Sequence, residues 1–258
     1  MKDKMVKIAE DFWNIRGEFK LFGLVNIGTQ ASLVKRQNGN FVFLDAYSMH
    51  ANLKKLVDIR TNNGQYIEAI INLHPFHTIH VEQAHQDYPH AKLYGTQRHV
   101  DKFPHLPWQP ELTDSTEFAT LYADDFDFTV PQGVDFISSD EKVHFSSVLA
   151  YHKASKTIHV DDTLMYFPLP GLLGLIKSPQ VSLHMTLSKA LQQRPGAVED
   201  FRSWVKQLAI SWHDSKVLCA AHSEILFIKD NSPTIAQRII EALDKEEKTL
   251  KAHQKKFG

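Results

Sequence analysis

Cysteine is nearly absent: Cys219 is the single one in 258 residues. An internal disulfide framework is thereby excluded, and a lone thiol fits a reducing cytosol, so a cytoplasmic protein is expected. An excess of charge of either sign is missing too. Lys+Arg 29 against Asp+Glu 30 leaves a formal charge of -1, with no basic footprint for nucleic acid. The longest apolar stretch near the middle, Leu169 to Ile176, is broken by Pro170, Gly171 and Gly174 and is too short to span a bilayer. The opening Met1-Lys2-Asp3-Lys4 shows no apolar region of signal-peptide type. Repeats, low-complexity segments and linkers are absent as well. What is left is an ordinary globular composition, 43% hydrophobic and 23% charged. The chain is long enough to bury a substantial core, and residues 1–258 are expected to form a single domain.

One count is abnormal, and it is fifteen histidines. The apolar run Ile67-Glu68-Ala69-Ile70-Ile71-Asn72-Leu73 reads as a buried strand, and it passes straight into His74-Pro75-Phe76-His77-Thr78-Ile79-His80. After Pro75 the spacing of Ile79, Val81 and Ala84 predicts a helix starting near Phe76 or His77 and running to about His85. Imidazoles at a strand tip and on the first helical turn behind it can converge on one point. Neutral imidazole is the commonest protein ligand for a transition metal.

Around this stretch the chain alternates. Leu21 to Ile27, Ala31 to Lys35 and Phe41 to Ala46 read as strands with turns at Gly28 and Asn38-Gly39-Asn40. Residues 49–62 carry helical spacing, and Ala91 to Tyr94 is a further short strand. Four short strands follow: Phe126 to Val130, Val134 to Ile137, His144 to Tyr151 and Thr157 to Val160. Helices are expected over 179–192 and 197–209, then a strand from Lys216 to Ala220. Ser232-Pro233 provides an N-cap and N1 pair for a last helix, 232–250, that fades into a charged tail. Strand and helix in alternation predict an α/β fold, with sheets covered by helices.

Three later places repeat the pairing of a ligating residue with a strand end: His144, Asp161-Asp162 after Val160, and His222 after Ala221. From His74 the separations are 70 residues to His144, 18 more to Asp162 and 60 more to His222. A carboxylate among imidazoles can hold one divalent cation or bridge two. The expected metal ligands are therefore His74, His77, His80, His144, Asp162 and His222. Asp161 is the alternative to Asp162, and either His77 or His80 could stand behind the ligands instead of among them. His99 could face the site or bond to backbone. Arg98 could bind an anionic substrate or form a surface ion pair. His152 and His159 read as structural, and Cys219 as a small buried hydrophobe. The apolar run Met165 to Ile176 suggests a substrate wall or a homodimer surface.

The order of these residues resembles the metallo-β-lactamase superfamily. In that family a strand ends in T-H-x-H-x-D-H, and a lone His, an Asp in a G-D-x-x-F context and a final His follow. Here Asp161-Asp162-Thr163-Leu164-Met165 is similar to the aspartate motif, His144 with Ser146-Ser147-Val148 to the lone-His motif, and Ala221-His222-Ser223 to the last. Val42-Phe43-Leu44-Asp45 is similar to the family's early strand. The resemblance spans roughly residues 20–225 and implies a four-layer αββα sandwich with one or two metal ions. It implies zinc first, with iron or manganese as alternatives, and a small-molecule substrate. The implied activity is hydrolysis of an ester, lactone, thioester or phosphoester, with Asp162 and His80 as catalytic candidates. The alternatives are an iron-dependent oxidoreductase and a non-enzymatic member of the same fold. The opening motif departs from the family: overlaid from His74, Phe76 replaces the second His, Thr78 the Asp and Ile79 the third His.

Overall fold

The computed structural model describes residues 3–21, 25–26, 28–167, 180–222 and 224–258. It forms two compact units, residues 1–128 with 152–155, and residues 129–151 with 156–258.

In the first unit, β1 (Lys4–Ala9) and β2 (Phe12–Gly17) form an antiparallel pair. Next come the two-residue strands β3 (Lys20–Leu21) and β4 (Val25–Asn26), then β5 (Thr29–Lys35) and β6 (Phe41–Leu44). Helix α1 (Ala51–Arg60), β7 (Ile67–Ile71), α2 (Val81–Asp87), β8 (Lys92–Tyr94), α3 (Gln97–Lys102) and α4 (Thr116–Leu121) complete it. The chain passes to the second unit within β9 (Phe126–Thr129). The six-stranded sheet has the order β1-β2-β5-β6-β7-β8. β6, β7 and β8 run parallel, because α1 and α2 carry the chain back between them. β7 is legible as a continuous apolar run for that reason: a parallel strand is covered on both faces. One face packs Ile67 and Ile70 with Trp13, Ile15, Leu33, Phe43, Leu53, Val57 and Leu93. The Asn38-Gly39-Asn40 turn forms as expected, with Gly39 at φ 89, where a side chain would be strained.

The second unit contains β10 (Leu149–His152), whose last residue is counted with the first unit, and β11 (Thr157–Val160). β12 (Leu164–Phe167) pairs antiparallel with β13 (Gln180–Leu183). Then come α5 (Leu187–Ala190), α6 (Ala197–Ser211), β14 (Val217–Ala220), β15 (Ile225–Phe227), α7 (Ile235–Lys245) and α8 (Glu247–Phe257). Within this unit the sheet runs β15-β14-β11-β10, and β11 is parallel to β14. On α6, Val198, Phe201, Trp204, Val205 and Leu208 are buried, an i, i+3, i+4, i+7 stripe that packs on Phe145, Leu149 and Ile158. A fully buried side chain of this size contributes roughly 1.5–3 kcal/mol.

Five expectations need correction. The helix beginning near Phe76 starts at Val81, with His80 as its N-cap, because His74 to His80 is a turn-rich loop. The helix over 179–192 is replaced by β13 and the short α5: Val181 and Leu183 alternate inward, and pairing with β12 overrides the helical spacing. Val134 to Ile137 contributes one bridge, Val134 with Leu191, in place of a strand. His144 precedes its strand by several residues, since β10 begins at Leu149. The cap of α7 is Thr234, whose hydroxyl accepts from Gln237 N in a capping box, and the charged tail is itself helix α8. Most of the Leu21–Ile27 strand and of the Met165–Ile176 run, together with Ser223, lies outside the described residues. Among the described residues no helix is long and apolar enough to cross a membrane.

Candidate metal centre

Each unit carries candidate ligands in loops at the carboxyl ends of adjacent parallel strands: His74 and His77 in the first, Asp162 and His222 in the second. In the first unit, β6, β7 and β8 end together, in register Leu44 with Ile71 and Ile71 with Tyr94. Asp45 follows β6 in a left-handed conformation, φ 62, and its Oδ1 accepts from Leu73 N at 2.8 Å. The loop after β7 is thereby fixed just before His74. Asn72 adds a second tie, donating from Nδ2 to Tyr94 O at 2.8 Å.

His74 is fully buried, and its Nδ1 accepts from Phe76 N at 3.0 Å. The half-exposed His77 stacks on it, ring centroids 4.0 Å apart and planes 13° apart. Nitrogens of the two rings lie within 4.8 Å of each other. His74 and His77 would offer a divalent cation two neutral imidazole nitrogens. Binding through His74 Nε2 would place the ring proton on Nδ1 and give up the Phe76 contact.

His80 does not join this pair. Its Nδ1 lies 2.9 Å from Ser48 Oγ, and its ring stands edge-on to Tyr47 at 4.9 Å. Burial, and then the neighbouring His77, push its pKa down to about 4. His99 is fully buried on α3, where its Nδ1 closes a capping box with Thr96, 3.0 Å from Oγ1. Burial holds His99 at a pKa of about 3. Both are neutral imidazoles at neutral pH. Arg98 lies over the Phe76 ring, 4.4 Å from its centroid.

In the second unit, Val160 of β11 pairs with Ala220 of β14. Asp162 and His222 each stand two residues further on, so the register itself brings them together: His222 Nε2 lies 3.2 Å from Asp162 Oδ1. His144 Nδ1 lies 4.0 Å from the other oxygen, Oδ2, while its Nε2 contacts Glu141 O at 2.5 Å. The 18-residue gap is spanned by Thr163, whose hydroxyl donates to Phe145 O at 2.9 Å and accepts from Ser147 N at 3.1 Å. Asp162 thus sits buried between two imidazoles. Asp161 is also buried and lies within 4.8 Å of the buried His159. Cys219 is fully buried.

Over nearly its whole length the backbone matches solved metallo-β-lactamases. One from Erythrobacter litoralis, crystallised with β-mercaptoethanol in its active site, aligns at TM-score 0.61 and 12% identity, covering 98% of this chain and 97% of that one. The chain has the metallo-β-lactamase fold. FIM-1 from Pseudomonas aeruginosa, solved in a mono-zinc form, aligns at TM-score 0.59 and 9% identity over 99% and 96% of the two chains. A metallo-β-lactamase from Hirschia baltica gives 0.57 and 12%, with 97% of each chain covered. No protein-family model matches the sequence, and no curated protein does. The fold class is α/β, the αββα sandwich of metallo-β-lactamase type.

The donor chemistry suits a divalent cation. Each unit presents a buried or half-buried cluster of borderline ligands, two imidazoles in one and a carboxylate between two imidazoles in the other. What the metallo-β-lactamase motif lacks here is its aspartate. Thr78 stands there, nearly fully buried, and its hydroxyl accepts from Lys102 Nζ at 2.6 Å. Sequence reasoning missed Thr78, Lys102 and Thr163, since neutral hydroxyls and a surface lysine carry no motif signal.

Proposed function

We propose that the chain is a metal-dependent hydrolase of a small-molecule ester, lactone, thioester or phosphoester. Its candidate ligands are His74 and His77 in the first unit and His144, Asp162 and His222 in the second. The observation that carries the reading is Asp162, buried and flanked by His222 at 3.2 Å and His144 at 4.0 Å. Water-stripped carboxylates are costly unless compensated by cations or hydrogen bonds, and this one is set among groups of metal-ligating type.

When bound, a divalent zinc, iron or manganese ion lowers the pKa of a coordinated water and polarises the scissile bond. Asp162 is the chain's own proton-handling group: its carboxylate is acceptor-only and is oriented by His222. His80 is too weak a base for that task at neutral pH, with a pKa of about 4. Its role in this proposal is to pack beside the ligand loop through Ser48 and Tyr47.

A panel of lactone, phosphodiester and thioester substrates, assayed on zinc-loaded protein and on Asp162→Asn, tests the reading. Turnover of at least one class, lost in the variant, supports it. Equal turnover in both rejects Asp162 as the centre of the chemistry. Iron in the purified protein, with no hydrolysis, replaces hydrolase by oxidoreductase on the same fold.

A further inference from the structure

We infer that the groove between α6 and α7 is a self-association face, with a second copy of this chain as its occupant. Both helices belong to the second unit. The groove has a volume of about 820 Å³, and its floor is apolar and small. Ala209 is buried, while Ala236 and Ile240 pack partly buried against the core. Ile210 projects from the α6 wall, 65% exposed. Lys206 on α6 and Glu241 on α7 stand at the rim, both exposed. An apolar centre within a polar rim is the anatomy of a protein interface. A small-molecule pocket would add inward polar groups that fix a ligand's orientation. Here the polar lining residues, Lys206, His213, Gln237 and Glu241, are all exposed.

The charges select the occupant. Arg202, near the start of α6, pairs with Glu247 just past the end of α7 at 2.9 Å. At the other end His213, past the end of α6, lines the groove with Pro233, ahead of α7. The two helices therefore run antiparallel, and Lys206 and Glu241 stand on opposite walls at similar height. The ion pairs of α6 join Arg194 to Asp200 and Arg202 to Glu199 and Glu247. Lys206 and Glu241 form none among the described residues. A two-fold axis along the groove lays α6 of each copy on α7 of the other. Lys206 then faces the partner's Glu241, and Glu241 the partner's Lys206. One surface complements itself, as an isologous contact requires. The same axis carries each Ile210 over the partner's Ala236 and Ile240, where small side chains let a second helix layer approach. Loss of water from the apolar centre drives association, and the two ion pairs fix its register.

Sedimentation equilibrium of the full chain across a range of concentrations tests this. The variants are Ile210→Glu, Lys206→Glu, Glu241→Lys and the double variant carrying both charge reversals. Wild type is expected to reach twice the chain mass. Each substitution acts twice in a two-fold dimer, so Ile210→Glu and either single reversal should weaken association about tenfold or more. The double variant exchanges the two charges and is expected to restore most of the wild-type association. The three side chains are exposed, so every variant should keep the wild-type circular-dichroism spectrum. Wild type at one chain mass at every concentration overturns the proposal. So does a dimer that Ile210→Glu leaves intact, or a double variant that dissociates as far as the singles. A monomeric wild type that binds an apolar fluorescent dye, with binding lost in Ile210→Glu, gives the groove to a small ligand and also overturns it.

Discussion

At the scale of single residues, Thr163 links the aspartate motif to the segment after His144. Its hydroxyl donates to Phe145 O and accepts from Ser147 N, and the side chain is fully buried. Thr163→Val keeps the shape and removes these bonds and the contact with Ser147 Oγ, leaving a buried carbonyl and a buried N–H unsatisfied. The expected cost is about 1–3 kcal/mol, read as a lowered urea midpoint with unchanged m-value. An unchanged midpoint contradicts this assignment. The meeting of Asp162 and His222 was legible because each follows an apolar strand, β11 or β14, whose register brings the two together. Thr163 was not, because nothing in a threonine's identity announces which carbonyl it will meet. Imidazoles counted along the chain look equivalent for a related reason, and only the fold turns His80 toward Ser48 and Tyr47.

At the scale of elements, what the sequence revealed depended on where each element is buried. β7 and β14 are parallel strands whose residues are mostly or wholly buried, and both read plainly as apolar runs. β1 is a half-exposed edge strand carrying Lys4 and Lys7, and β2 buries Asn14 and Arg16, where Asn14 Nδ2 donates to Gln30 Oε1 and Ser32 Oγ at 3.0 Å each. Neither fits the alternation of apolar and polar that marks a strand. The helical spacing over β13 yields to a strand because its pairing with β12 is long-range and invisible to local spacing. Turns with positive φ are more tightly specified. Gly133, at φ 73, packs under α6 so closely that a Cβ there would stand 1.9 Å from Ala197 O. Gly133→Ala therefore combines backbone strain with a clash against main chain, and thermal melting is expected to fall by 10 °C or more, consistent with a loss of several kcal/mol. Melting within 2 °C or so of wild type contradicts this.

At the scale of the whole molecule, buried neutral histidines make the fold sensitive to acid. His152 packs 5.6 Å from Phe12 and 5.1 Å from Phe126, and burial lowers its pKa against the pull of Asp11 and Asp125. Burial holds His80 at about 4 and His99 at about 3. Unfolded, each titrates near 6.5. The unfolded chain therefore binds more protons than the folded one below that pH, and stability present above it is lost as pH falls toward the folded values. For His80 alone the loss between pH 7.5 and 5 is about 2 kcal/mol. Urea midpoints of metal-free protein should fall across this range, and His152→Gln should flatten part of the slope. A midpoint independent of pH contradicts the assignment.

The central claim is that Asp162, set between His144 and His222, is a ligand of a bound metal ion. Elemental analysis of protein purified without added metal, alongside Asp162→Asn and His222→Ala, tests it most directly. A divalent ion in the wild type, and none in either variant, is the predicted result. The same stoichiometry in all three proteins, or no metal in the wild type even after saturation, contradicts it.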